Sequence, residues 1–138
     1  MKKIIVLVAV FLMVSSVAFA QGRFSDTDIS NLKGTWSGTL TFTEINVSVK
    51  CDLEIINNII PLYGKLLVYD IPDRLANQMG VMTGTNLFEN PSGYLTNKGT
   101  VMWAGNNSFF EIWPFGSGRV QGWFYFRSLK GDLDFRKK

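Results

Sequence analysis

The sequence has no histidine. That removes the Ser–His and Cys–His pairs of nucleophilic catalysis, which need an imidazole base, and most zinc sites. It has no glycine-rich phosphate loop and no dinucleotide fingerprint. Its single cysteine, Cys51, cannot form an internal disulfide. Cys51 shares a strand face with Val49 and Leu53, so its expected place is that of a small buried apolar side chain. Helix is scarce too. No crossover is long enough to return a parallel strand, which leaves antiparallel pairing.

Charge of one sign is lacking once the first twenty residues are set aside. Lys2 and Lys3 precede an eleven-residue apolar run, Ile4 to Val14, and Ser15-Ser16-Val17-Ala18-Phe19-Ala20 ends in an Ala-x-Ala pattern. This is the layout of a secretory signal peptide. A membrane anchor needs about 20 apolar residues, and this run is shorter. No cysteine follows the cleavage point to carry a lipid. The expectation is a signal peptide at 1–20, a single mature domain at 21–138, and a periplasmic or extracellular destination. Without the signal, twelve basic residues face eleven acidic ones. Such a chain has no basic patch for nucleic acid.

What is present is alternation. Trp36, Gly38, Leu40 and Phe42 fall on one face of a first strand, with Thr35, Ser37, Thr39, Thr41 and Thr43 on the other. Val47, Val49, Cys51, Leu53 and Ile55 then alternate with Ser48, Lys50, Asp52 and Glu54. A period of two excludes helix. A two-residue turn is expected at Ile56-Asn57-Asn58-Ile59, and a further strand at about 60–69. Asp73 to Met79 reads as two helical turns ended by Gly80. Asn90-Pro91-Ser92-Gly93 reads as a turn, and short strands recur to the C-terminus. Residues 25–32 offer one capped helical turn ahead of the first strand, with Ser25 or Asp26 as the cap.

Turn signals every 8–13 residues predict an all-β fold, an antiparallel meander of eight to nine strands closing into a small barrel with a short N-terminal helical turn. Closure removes the two edges a meander would expose. Glycines inside strands (Gly38, Gly64, Gly84, Gly122) suit tight coiling. An outer-membrane barrel would instead be apolar outside and polar within. The basic C-terminus and the faces of the first two strands speak against that arrangement.

Gly34-Thr35-Trp36, behind the Ser25–Leu32 turn, resembles the opening of the lipocalin-like (calycin) β-barrels. The resemblance covers residues 25–42. It implies that Trp36 closes one end of the barrel. It also implies that an arginine from the last strands, Arg127 or Arg136, lies over the indole. The Thr-Asp-Tyr that many lipocalins carry between late strands is missing.

Two functions follow as expectations. The first is an exported, non-enzymatic binding protein that holds a small hydrophobic or amphipathic ligand in the barrel mouth. The expected lining is Tyr69, Leu75, Met79 and Phe124, with Asp70–Gly80 as a cap and Trp36 and Arg127 in structural roles. The alternative is a structural or protein-interaction module of the cell envelope, its barrel fully packed and its outer aromatic face bound to an envelope protein. Trp103, Trp113 and Trp123 fall opposite the clean core faces and would supply such a patch. No catalytic residue, metal ligand or cofactor is expected. Asp52 with Glu54, and Asp132 with Asp134, are the same-face carboxylate pairs a hydrolase would need, and solvated face charges account for both.

Overall fold

The computed structural model describes residues 22–105 and 107–138. The expected signal segment lies outside these residues. Helix α1 (Asp26–Ser30) is capped by Ser25, whose hydroxyl accepts from the Asp28 amide while the Asp28 carboxylate accepts from the Ser25 amide at 2.8 Å. Five residues make too few hydrogen bonds to hold a helix in water. The turn is anchored instead by burial of Phe24, Ile29 and Leu32.

Eight strands follow: β1 (Gly34–Phe42), β2 (Val47–Ile55), β3 (Leu62–Ile71), β4 (Gly84–Leu95), β5 (Val101–Ala104), β6 (Ser108–Pro114), β7 (Arg119–Phe126) and β8 (Leu129–Lys137). Helix α2 (Asp73–Met79) joins β3 to β4. Each strand pairs antiparallel with the next, and β8 pairs back onto β1, so the barrel is closed. The β1–β2 ladder runs unbroken from Gly34↔Ile55 to Phe42↔Val47.

Alternation sends one face of every strand inward. Eight strands enclose a lumen just wide enough for side chains or one small ligand. Here side chains take it. Leu40, Phe42, Leu53, Leu66, Phe110, Phe124 and Phe135 are all 0% exposed, so no water-sized space opens beside them. Phe88 meets Phe124 and Phe126 edge-on, each at 5.1 Å.

Both ends are stopped. At one, the Trp36 indole N–H donates to the Leu32 carbonyl at 2.9 Å, and the Phe24 amide reaches the Gly99 carbonyl at 2.7 Å across the β4–β5 turn. At the other, α2 buries Leu75, Ala76 and Met79 and ends at Gly80, whose φ of 72° is the left-handed value expected of a helix stop. No described helix is long and apolar enough to cross a membrane.

Four expectations need correction. Asn90–Gly93 is not a turn between strands but an irregularity inside β4, where the pairing with β3 shifts between Leu62 and Gly64. The Asn90 side chain accepts from the Ser92 amide at 2.9 Å and closes the irregularity locally, which brings the strand count to eight. The β2–β3 connection is longer than two residues. Asn57 spans it, donating to the carbonyls of Ile59 and Pro61 and accepting from the Tyr63 amide.

Trp103 faces in rather than out. It is fully buried and stacked on Phe110 at 4.8 Å, with its N–H on the Leu62 carbonyl. The ring fits because Gly64 and Gly93 leave room for it: a side chain begun at Gly64 would stand 2.9 Å from the indole, and one begun at Gly93 would overlap it. Finally, the cation over Trp36 is Lys137, 4.9 Å from the ring centre, not Arg127 or Arg136. The Lys137 ammonium donates to the carbonyls of Asn31 and Lys33, tying β8 to the segment after α1. Arg127 lies at the far end, over Phe126 and in the space a Gly80 side chain would need. The β7–β8 turn places it there, a barrel's length from Trp36.

Replacing Gly64 or Gly93 by alanine pushes on the Trp103 indole, an overpacking cost of about 1–3 kcal/mol each. Urea unfolding followed by tryptophan emission reads this as a lower midpoint at unchanged slope. Cys51 is fully buried, and burial pushes its thiol well above the ordinary range. Thiol reagents therefore label it only after unfolding, and mass spectrometry of native and denatured protein checks this.

Candidate functional site

With the lumen filled, open surface is left in a recess of about 270 Å³ at the Trp36 end, lined by Phe24, Leu32, Trp36 and Lys137 among others, and along the outer wall, where part-exposed aromatic rings gather. The register lays the wall out in rows. Phe109 pairs with Tyr125, Glu111 with Trp123, and Trp113 with Gln121. Across the next seam Tyr125 pairs with Lys130, Trp123 with Asp132, and Gln121 with Asp134. Asp132 and Asp134 then face Thr41 and Thr39 of β1. These side chains share one face because all the strands here alternate in phase.

Trp123 is the ridge of this face. Phe109 lies tilted against it at 4.8 Å, Tyr125 meets it edge-on at 5.5 Å, and the Lys130 ammonium lies 5.6 Å from its ring centre. Its N–H donates to the Glu111 carboxylate at 2.7 Å. The other oxygen of that carboxylate accepts from the Thr100 hydroxyl at 2.5 Å. Glu111 is 8% exposed, and a carboxylate out of water must have its lone pairs satisfied. This one holds the Trp123 ring upright.

Two clefts flank the ridge. One, of about 400 Å³, is lined by Phe109, Trp123, Tyr125 and Arg127, with Gly105, Asn107 and Ser108. The other, of about 420 Å³, lies over β6–β8 and β1 and is lined by Trp113, Gln121, Trp123, Lys130, Asp132, Asp134 and the two threonines. Both fall in the range of small-molecule sites. Asp134 holds a bidentate pair with Arg119, at 2.9 and 2.6 Å. The guanidinium draws its carboxyl below the ordinary 3.8.

The four residues read as a ligand lining do not meet around an opening. Leu75, Met79 and Phe124 are 0% exposed, pressed between α2 and the lumen. Tyr69 points away from the lumen, and its hydroxyl donates to Asp52 at 2.9 Å on the outer wall. The side chains of the β3 strand alternate, and the lumen positions belong to Leu66 and Val68. The same-face carboxylates are also divided: Asp52 is engaged by Tyr69, and Asp134 by Arg119. Among the described residues no cluster of His, Cys, Asp or Glu could hold a metal. Glu111 and Gln121 had no sequence signal of their own. Glu111 sits in Phe109-Phe110-Glu111-Ile112-Trp113, where both faces carry bulky apolar groups and the phase of alternation is ambiguous.

No family model, curated protein or solved structure matches the chain.

The Asp134 carboxyl is lowered in the folded protein, so the stability its pair adds is complete above 3.8 and is lost as pH falls through the lower folded value. Both partners are part-exposed, at 27% and 41%, which limits the contribution to under about 1 kcal/mol. Asp134→Asn should therefore be slightly less stable than the parent near neutral pH, and the gap should close as the pH is taken down from 3.8. Urea midpoints across this range measure the difference.

Proposed function

We propose that the chain is an exported, non-enzymatic binding module that uses its barrel as a packed scaffold and its β6–β8 outer wall as the recognition face. One contrast carries this reading. The lumen is filled and stopped at both ends, while Trp113, Trp123 and Tyr125 line open clefts outside it. A soluble protein seldom keeps several large aromatics on one patch of surface unless they meet a partner.

Export is inferred from residues 1–20, and the cell envelope or the exterior is where the partner would be met. The barrel is not read as membrane-spanning. Its lumen is apolar and its wall carries Lys50, Asp52, Glu54 and Lys65, the reverse of a membrane barrel. Kinship with lipocalin-like barrels is part of the proposal. Closure by eight strands, the Trp36 plug above α1 and the cation on its ring support it. The missing open mouth sets this chain apart from a barrel that carries its ligand inside.

Native mass spectrometry of the protein purified from its source should show no apolar molecule bound, and lipids or hydrophobic dyes should leave the emission of the buried Trp103 unchanged. The double variant Trp123→Ala, Tyr125→Ala should fold and lose recovery of its partner from envelope fractions. A lipid retained in the lumen, or recovery unaffected by the double variant, overturns the reading.

A further inference from the structure

The larger of the two outer clefts points to a ligand class: we infer that it binds a neutral saccharide, with a pyranose ring laid against Trp113. This rests on the outer wall being the binding face.

Trp113 is half-buried, and among the described residues no ring or cation stacks on it. Trp123, by contrast, is already covered by Phe109 and Lys130 and pinned by Glu111. The pinned ring forms a fixed wall, and Trp113 lines the same cleft with a ring that no aromatic group or cation occupies among the described residues. The face of an indole is its negative side. The axial C–H groups of a sugar ring make a flat, weakly positive surface that fits it.

Gln121, an amide, is the direct cross-strand neighbour of Trp113, and the carboxylate of Asp132 and the hydroxyl of Thr39 line the same cleft farther across the strands. Asp132 is exposed and makes no hydrogen bond or ion pair among the described residues. Together these groups donate and accept, as vicinal hydroxyls require. The strands that carry them are locked in a closed sheet, so little order has to be imposed on binding.

Charge narrows the class. Arg119 neutralises Asp134, which leaves Lys130 and Asp132 in balance in the cleft. A phosphate or sulfate group needs converging cations, and these are not there. A lipid tail would strand the polar groups without partners. An added peptide strand needs a free sheet edge, which a closed barrel lacks. A proline-rich peptide docked on the indoles is the competing occupant.

The test is calorimetry and tryptophan emission on the purified protein with soluble cello-, chito-, xylo- and malto-hexaose, a proline-rich decapeptide and heparin. At least one hexaose should bind saturably, and heparin should not. Trp113→Ala should weaken that binding roughly tenfold or more, Trp113→Phe should keep most of it, and Asp132→Asn should weaken it several-fold. Tyr63→Phe, on another part of the wall, should leave it unchanged. Circular dichroism confirms that each variant is folded. Binding by the peptide and no hexaose overturns the saccharide assignment while leaving the outer wall as the recognition face. Hexaose binding that survives both Trp113→Ala and Asp132→Asn overturns the location. Binding of no probe overturns the ligand class. A lumen ligand found by native mass spectrometry removes the outer-wall reading itself.

Discussion

Closure of the sheet is the constraint from which the other features follow. Once β8 pairs with β1, every inward side chain is committed to a lumen of fixed width, and every outward one to a continuous wall with no edge. The lumen is then a packing problem. Trp103 solves the hardest part of it by lying against two glycines from neighbouring strands, Gly64 and Gly93. The Leu62 carbonyl, which takes its N–H, meets the polar requirement of the buried indole. Filling of this kind stabilises a small barrel without disulfide or metal.

The two ends use unlike plugs of the same physical kind. A short helix contributes apolar side chains, and one backbone carbonyl or left-handed glycine fixes the angle. At the Trp36 end Lys137 adds a second tie, since its ammonium serves two carbonyls and the indole face together. Burial pushes its own proton affinity down, but the carbonyl partners offset the lost water. At the α2 end the guanidinium of Arg127 fits against Gly80.

The outer wall is where the structure departs from what stability alone asks. Glu111 is a nearly buried carboxylate whose partners are a threonine hydroxyl and an indole N–H. An apolar residue there would avoid the desolvation. What the carboxylate adds is orientation of Trp123, and with it the shape of two clefts. Arg119 and Asp134 perform a milder version of the same service by removing one charge from the polar cleft. The cleft is thereby aromatic and close to neutral in charge, which is the ground on which recognition of an uncharged polar ligand is proposed.

The sequence by itself determined the class, the antiparallel meander, both helical turns, and the inward faces of β1 and β2. Strict alternation of apolar and polar residues over eight or nine positions admits only one phase. A cap at Ser25 or Asp26 and the Gly80 stop were legible for the same local reason, since each depends on the conformation of one residue, and the structure places the cap on Ser25. Only the tertiary structure decided the direction of Trp103, the unity of β4 across Asn90–Gly93, and the partner of Trp36. In β5 and β6 both faces are apolar, so alternation carries no phase, and the side on which a tryptophan lands depends on where another strand leaves a glycine. The Trp36 partner had to come from a strand more than a hundred residues away. Which β8 residue reaches it is set by the registers of all eight strands together, and no local pattern contains that information.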